Sequence, residues 1–235
     1  MPFNPVKYIT RSLRKNQELR YFRNASNQQI FTHIYEKNKW GDNNTRSGKG
    51  SNLDKTWRLR QELPSALAQL GVMSLLDIPC GDFFWIKEID LQIDHYLGAD
   101  IVPALITANT EKYGNSSVRF LHLDLLRDPL PQADAILCRE CLVHFSFADA
   151  RQAIANIKSS GANHLLTTHF PDIDRNLDII TGKHRPLNMC REPFNWPEPV
   201  IQIAEGDAGS KRGQKCLSIW SIADLPLWVP GTSSA

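Results

Sequence analysis

The stretch VMSLLDIPCGDFFW, residues 72–85, decides the fold. Its first part is a short apolar run, which is typical of a strand that is buried on both faces of a parallel sheet. The run ends near Asp77, and a turn that contains Pro79 and Gly81 follows it directly. In open α/β sheets, ligands bind in the crevice outside the carboxyl ends of the strands. Residues 77–83 are therefore the first candidate for a binding site.

Downstream of this turn, short apolar runs alternate with helical patterns. The sequence predicts strands at 95–100, 118–123, 133–139 and 163–168 and helices at 103–113 and 147–160, and residues 83–89 have the pattern of a helix start. This alternation indicates an α/β fold with a doubly wound, mostly parallel sheet and right-handed crossovers. The apolar runs 200–204 and 216–222 flank a polar segment, which favours an antiparallel C-terminal edge hairpin.

Residues 1–70 precede the alternation. Residues 1–26 are basic and predict an N-terminal arm, for which a solvated helix and a helix that binds an anionic partner or membrane surface are both open. Helical patterns at 27–40 and 54–70 flank the Gly- and Asn-rich loop GDNNTRSGKGS, residues 41–51. We expect Pro64 to kink or split the second helix. Residues 27–70 thus predict N-terminal helices and a lid.

Composition limits the classes of function. The 235 residues are 42% hydrophobic and 22% charged, which favours one globular domain over residues 27–235. A net charge of +2 gives little support for a nucleic-acid partner, and no apolar run is long enough to span a bilayer. Five cysteines, an odd number, favour reduced thiols. We expect a cytoplasmic protein with a small-molecule substrate, no nucleic acid and no integral membrane association; the oligomeric state is not predicted.

Acidic residues stand at the ends of three predicted strands. Asp100 lies 23 residues after Asp77, and Asp124 follows the third strand. A carboxylate at the position of Asp100 can accept hydrogen bonds from both ribose hydroxyls of a nucleoside cofactor. For Asp82, which follows Gly81, we favour a helix N-cap.

The segments LLDIPCGDFFW, LGADI, FLHLDLL and ADAILCRECLVHFS resemble the successive motifs of class I S-adenosylmethionine-dependent methyltransferases. The resemblance spans roughly residues 72–170 and implies a seven-stranded sheet with S-adenosylmethionine as cofactor. It implies that Asp77, Pro79, Cys80 and Gly81 line the methionine part, that Asp100 and Ile101 hold the ribose side, that Asp124 and Leu125 flank the adenine, and that residues 138–140 face the reacting methyl group.

The loop departs from the family's usual glycine pattern, because Pro79 and Phe83 replace two glycines. It resembles the DxPCGD loop of a bacterial subgroup, which also has an IYxxxxWG…SGxGS segment before the domain. That segment is matched by Tyr35, Trp40, Gly41, Ser47, Gly48, Gly50 and Ser51, which places Trp40 and Ser51 among the cofactor-binding residues. A pyrophosphate cofactor is disfavoured, since proline removes an N–H donor and Asp82 adds a negative charge.

Methyl transfer to a hydroxyl requires positioning and a base. We predict His144 as this base, with Glu140, four residues earlier, orienting the imidazole if the turn is helical. Arg139 would anchor an acidic group on the acceptor or neutralise Glu140. The alternative for His144 is a packed structural residue.

Residues 171–199 predict a substrate-side insertion in which Lys183, His184, Arg185 and Arg191 clamp the acceptor; a solvated loop is the alternative. Cys138, Cys141 and His144 have metal-like spacing, but buried structural cysteines are favoured and no metal is predicted. The predicted function is methyl transfer to a small molecule, at a hydroxyl of a sugar or a natural-product-like compound. The alternative is a noncatalytic nucleoside-binding or scaffold protein that kept the fold.

Overall fold

The computed structural model describes residues 16–205 and 213–226. Its centre is a seven-stranded sheet with strand order β3-β2-β1-β4-β5-β7-β6. The strands are β1 (Ser74–Asp77), β2 (His95–Asp100), β3 (Val118–His122), β4 (Ala135–Cys138), β5 (His164–His169), β6 (Ile201–Glu205) and β7 (Lys215–Ser221). The first five are parallel, and β7 lies antiparallel between β5 and β6. The predicted fold class, including the antiparallel edge hairpin, is confirmed.

Four helices have defined bounds: α1 (Asn27–Glu36), α2 (Leu53–Gln69), α3 (Pro103–Tyr113) and α4 (Phe147–Ser159). None of the described helices is both long and apolar enough to cross a bilayer. In the alternating part of the chain, strand and helix ends differ from the predicted ones by at most two residues, apart from the segment after β1. There the predicted helix start at 83–89 is only one 3-10 turn, Ile86–Glu88.

The short turn after β1 has a physical cause in Phe83. Its backbone has a φ of 57°, which does not continue a right-handed helix. Its ring lies 5.0–5.2 Å from the rings of Tyr96, Tyr113 and Phe120, measured between centroids. Packing of this aromatic group therefore replaces the first helical turn that the sequence pattern predicts.

In the N-terminal helices, the expected split at Pro64 and the expected end of the first helix are wrong, whereas a kink at Pro64 stays a prediction. The helix α2 is not split at Pro64, because Leu59, Leu63 and Leu67 on one of its faces are fully buried and hold both halves against the sheet. The helix α1 ends at Glu36, four residues before the predicted end, where Lys37 forms its C-cap and Asn38 has a positive φ of 43°.

The sheet separates two hydrophobic layers. On one face, Leu75 of β1 packs with buried residues of α2 and α3. On the other face, the adjacent residue Leu76 packs with buried residues of α4 and with Trp220 of β7. This alternation is what a strand that is covered on both faces requires. The result is a three-layer αβα arrangement, with the loops after the parallel strands gathered at one edge of the sheet.

The described part of the predicted arm packs on this body. Residues 16–24 are helical, and the side chain of Phe22 is buried against Ile30 and Ile34 of α1. Residues 1–15 of that arm lie outside the described part of the chain, and the boundary at residue 26 stays a prediction. At the opposite end of the described chain, the register of the hairpin pairs Glu205 with Lys215 at the sheet edge where the parallel strands end.

Candidate active site

A cavity of about 1000 Å³ lies at the carboxyl ends of the parallel strands. It is lined by most of the residues that the sequence proposes for cofactor binding or catalysis. These residues are Trp40, Ser51, Asp77, Pro79, Cys80, Gly81, Asp100, Ile101, Asp124, Leu125, Arg139, Glu140 and His144. Their convergence follows from the sheet topology, because the loops after β1, β2, β3 and β4 all open at the same edge. The role of each residue remains a proposal.

Two buried carboxyl groups stand at the base of the cavity. Asp77, at the end of β1, accepts a 2.5 Å hydrogen bond from the Tyr96 hydroxyl, and burial raises its pKa to about 7. Asp100, at the end of β2, accepts hydrogen bonds from the backbone N–H of Gly81 (3.1 Å) and of Val102 (2.9 Å). Burial raises the pKa of Asp100 to about 6, although these two hydrogen bonds lower it. Asp100 thus offers a desolvated acceptor for ligand hydroxyl groups.

The third acidic residue, Asp124, lies two residues beyond β3. Its carboxylate accepts a 2.9 Å hydrogen bond from the backbone N–H of Leu126, and its own N–H donates to the Asp128 carboxylate at 2.7 Å. These bonds shape a tight turn that presents the buried side chain of Leu125 to the cavity. The turn provides an apolar wall beside Asp124, which suits a flat heterocycle.

Asp82 anchors the loop of residues 41–51, the predicted lid, rather than capping a helix. Its carboxylate accepts hydrogen bonds from the hydroxyls of Thr45 (2.8 and 2.9 Å) and Ser47 (2.8 Å) and from the backbone N–H of Arg46 (2.7 Å). The Ser47 hydroxyl also accepts from the N–H of Asp82 at 2.9 Å. The N-cap prediction is therefore wrong, because no helix starts there. Lid residues 45–47 instead dock on the loop after β1.

The same docking explains the glycine at position 81. Gly81 has a φ of +55°, and a Cβ built there would lie 2.1 Å from Oγ of Ser47. A side chain at this position would therefore push Ser47 away and disturb the bonds between the lid and Asp82. The close approach of two loops therefore requires glycine here.

A buried ion network joins the end of β4 to the C-terminal hairpin. The Arg139 guanidinium binds both carboxylate oxygens of Glu205, at 3.1 and 2.5 Å. Lys215 lies 2.6 Å from the Glu140 carboxylate and 2.9 Å from that of Glu205. Arg139 also donates to the carbonyl of Gly50 at 2.7 Å, so that the network reaches the lid. These lysine and arginine charges lower the pKa of Glu140 to about 2, against the effect of burial.

This network changes the predicted roles of Arg139 and Glu140, the two residues that directly follow β4. Arg139 is held by Glu205 and by the lid, and does not present a free guanidinium to an acceptor. Glu140 is neutralised mainly by Lys215. Sequence reasoning missed Glu205 and Lys215, since their arrival at the cavity depends on the register of the hairpin. The signal that could have located them is the pairing of two opposite charges at the ends of adjacent strands.

His144 lies in a 3-10 turn, Leu142–His144, instead of the α-helical turn that would bring Glu140 beside it. Its Nδ1 forms a 2.8 Å hydrogen bond with the backbone carbonyl of Lys183, which can only accept, so Nδ1 carries the proton. The predicted orientation of His144 by Glu140 is therefore wrong. Burial lowers the pKa of His144 to about 4, which keeps the imidazole neutral at pH 7. Its ring centroid lies 5.2 Å from those of Trp40 and His184.

The segment 171–199 contributes only part of the predicted clamp. Lys183 and His184 line the cavity. Arg185 instead donates to the carbonyls of Leu142 (2.7 Å) and Leu177 (3.0 Å), so it stabilises the loop, and Arg191 does not line the cavity. Cys138 and Cys141 are buried, and the described residues contain no cluster of three or more potential ligands arranged for a metal ion.

Comparisons with known proteins identify the class of protein to which this chain belongs. Residues 75–161 match the model of a family described as "Methyltransferase domain". Uncharacterized methyltransferases of Mycobacterium tuberculosis and Mycobacterium bovis are each 30% identical to this chain over 165 residues, which are 63% of this chain and 82% of each relative. The chain therefore belongs to the methyltransferases.

Solved structures agree on the fold. Magnesium protoporphyrin IX methyltransferase from Synechocystis PCC 6803, with bound S-adenosylmethionine, has a TM-score of 0.53 at 14% identity, over 83% of this chain and 97% of that one. The methyltransferase domain of bacterial CtHen1-CN also has a TM-score of 0.53, at 10% identity, over 72% of this chain and all of that one. Within the methyltransferases, this chain therefore has the class I architecture, whose members use S-adenosylmethionine.

Proposed function

We propose that this S-adenosylmethionine-dependent methyltransferase acts on a hydroxyl group of a small molecule, such as a sugar or a natural-product-like compound. In the reaction, the acceptor oxygen forms a bond to the methyl carbon as the bond from carbon to sulfur breaks. The electron pair stays on sulfur, which becomes neutral, and the hydroxyl proton passes to a base. The enzyme must therefore bind the cofactor, align the acceptor and supply that base.

The base of the cavity supports the cofactor assignment. Asp100 offers a buried carboxylate to the ribose hydroxyls, and Leu125 offers an apolar wall to the adenine. Gly81 and Asp77 line the same cavity and would contact the methionine part. When S-adenosylmethionine is bound, it supplies an activated methyl group, and the residues around it exclude water and fix its direction.

One observation carries the assignment of a hydroxyl acceptor: the tautomer of His144. Because Nδ1 donates to the Lys183 carbonyl, Nε2 holds the free lone pair. The imidazole is neutral at pH 7, since burial lowers its pKa to about 4. A neutral imidazole in the cavity wall can accept the proton that a hydroxyl loses during transfer. An amine acceptor that binds in its neutral form needs no base until the bond has formed.

The experiment is a screen for formation of S-adenosylhomocysteine. Purified protein, saturated with S-adenosylmethionine, is incubated with sugars, hydroxylated natural-product fragments and the matched amines. We expect turnover with hydroxyl compounds and not with the amines. Turnover of amines alone would contradict the hydroxyl assignment. Cofactor binding in calorimetry, without turnover of any acceptor, would favour the noncatalytic alternative. A cytoplasmic location and the absence of a nucleic-acid partner stay predictions.

A further inference from the structure

One carboxylate bridges two lysines at the mouth of the cavity. Glu18, in the helical residues 16–24, contacts the ammonium groups of Lys39 at 2.8 Å and of Lys183 at 2.6 Å, each through a different oxygen. The three side chains are 23–38% exposed, so they stand at the opening rather than in the interior. All three line the cavity.

The two lysines come from separate parts of the chain. Lys39 follows α1, and Lys183 lies in the long segment after β5. The two lysines do not belong to a common helix or strand, and both contact Glu18. The two ammonium groups contact the two oxygens of one carboxylate. The carboxylate of a ligand could make the same two contacts. Since Glu18 neutralises only one of the two charges, the mouth keeps an excess positive charge.

The site is tied to the base that we propose. The side chain of Lys183 binds Glu18, while its backbone carbonyl holds Nδ1 of His144 at 2.8 Å. A ligand that contacts the Lys183 ammonium therefore lies on the same wall as the imidazole. Phe31 and Phe145 also line the cavity and meet edge to face, with 5.8 Å between ring centroids, which provides apolar surface for the body of a ligand.

We propose that the acceptor is a hydroxy acid whose carboxylate binds Lys39 and Lys183 in place of Glu18. The hydroxyl group of the acceptor then lies toward His144 and the methyl group of the cofactor. The apolar body of the acceptor packs against Phe31 and Phe145. Glu18 serves as an internal carboxylate that neutralises the lysines until the acceptor arrives. This inference rests on the proposed function and specifies its substrate class.

The test uses matched hydroxyl compounds that differ only in a carboxylate or a carboxamide. The pairs are 4-hydroxybenzoate with 4-hydroxybenzamide and 3-hydroxydecanoate with 3-hydroxydecanamide. For at least one pair, we expect kcat/KM of the wild type to favour the carboxylate by about tenfold or more, as charge-assisted hydrogen bonds predict. Lys39→Met and Lys183→Met should each reduce this preference several-fold through KM, since the lysines contact substrate and transition state equally.

The variant Glu18→Gln separates this proposal from a structural salt bridge. Glutamine has nearly the same shape but no charge to compete, so KM for the carboxylates should fall several-fold. A structural role predicts an unchanged or higher KM. The exposed Lys37, which does not line the cavity, gives the control Lys37→Met, for which the preference should not change.

Three results would overturn the proposal: equal or better turnover of the carboxamides, an unchanged or higher KM in Glu18→Gln, or no methylation of any carboxylate compound. Failure of the proposed function looks different. In that case amines are methylated and hydroxyls are not, and the preference for a carboxylate is then scored on the amine pairs 4-aminobenzoate and 4-aminobenzamide.

Discussion

The cavity has two sides that are built in different ways. Its floor consists of residues 77–81, 100–102 and 123–126, which directly follow three adjacent parallel strands. Its roof consists of Glu18 and Phe22, of residues 39–40, 46–51 and 182–184, and of Glu205 and Lys215, which come from segments far apart in the chain. Backbone hydrogen bonds of the sheet position the floor. Side-chain contacts, such as those of Asp82 and Arg139, position much of the roof.

This difference teaches where each part of the function can vary. The backbone of the floor continues directly from the central strands, so the position of the cofactor site is tied to the fold itself. Contacts in the roof are ion pairs and hydrogen bonds between loops, which single substitutions can alter while the sheet stays intact. We therefore expect the residues of the roof to determine which acceptor binds. The following substitutions test this division, in order of decreasing effect.

The largest effect is expected at His144, where roof and floor meet. His144→Ala removes the proposed base, and turnover of a hydroxyl acceptor should fall roughly 10²–10⁴-fold, as is usual for general bases. Affinity for the cofactor should stay near that of the wild type, because the floor is unchanged. Turnover and calorimetric affinity are measured separately, with His95→Ala at an exposed position of β2 as the control. A variant with normal turnover would leave positioning as the whole of catalysis.

A second substitution tests how firmly the roof is joined to the sheet. Arg139→Met leaves the fully buried Glu205 carboxylate with Lys215 as its remaining charged partner in the described chain. Removing one partner of a buried pair costs about 3–5 kcal/mol, and because Lys215 remains, we expect a free energy of unfolding lower by about 3 kcal/mol. Urea denaturation measures this loss.

The matched control for Arg139 is Arg119→Met, at an exposed position of β3, which should change stability by less than about 0.5 kcal/mol. The double variant Arg139→Met/Glu205→Gln removes the unpaired charge and should recover part of the loss. If Arg139→Met is as stable as the wild type, the network is no stronger than a surface pair, and the roof is held by other contacts.

The same division explains what the sequence could predict. Asp77, Asp100 and Asp124 could be placed together because each stands at the end of a strand with a clear apolar pattern or just after it, and because parallel strands end at one edge. The partners of Asp82 and His144 could not, since they depend on how loops dock. For these contacts, a single sequence contains residue types but no distances. Pro64 shows a further limit, because burial of one helix face overrides the local preference of proline.

A smaller effect is expected in the floor, at Asp100. Asp100→Ala removes the proposed partner of the ribose hydroxyls, and affinity for S-adenosylhomocysteine should fall about tenfold or more, given about 1.5–3 kcal/mol for a charge-assisted hydrogen bond. The fold should persist, because the side chain accepts only from nearby backbone N–H groups. Calorimetry measures the affinity, and Asp94→Ala at an exposed position is the control. Equal affinity would remove Asp100 from the cofactor site.

The pH dependence of that affinity tests the role of charge at Asp100. Burial raises its pKa to about 6 in the free protein, so the carboxyl group is protonated below this pH and ionised above it. The ionised form is the stronger acceptor, and the affinity advantage of the wild type over Asp100→Ala should therefore grow as the pH rises from 5 to 7. Burial raises the pKa of Asp77 to about 7, with a smaller contribution from the Asp100 charge, so Asp77 titrates in both proteins but at a somewhat lower pH in Asp100→Ala. If the affinity advantage of the wild type does not change with pH, the negative charge of Asp100 does not contribute to cofactor binding.

The smallest effect is expected for the contact that joins the lid to the floor. Asp82→Asn replaces a carboxylate that binds Thr45, Arg46 and Ser47 with an amide, whose NH₂ group cannot accept from these donors. The loss of about 1 kcal/mol for bonds between partly exposed groups should open the lid roughly three- to tenfold more often. Limited trypsin cleavage at the exposed Arg46 and Lys49 measures this opening, and the substitution Asp94→Asn at an exposed position is the control.

Added S-adenosylhomocysteine should slow cleavage in both proteins, because a lid that closes over the cofactor is stabilised by the bound cofactor. Cleavage at the same rate with and without cofactor would show that residues 41–51 are a plain linker, and residues 46–51 would then not belong to a closing roof.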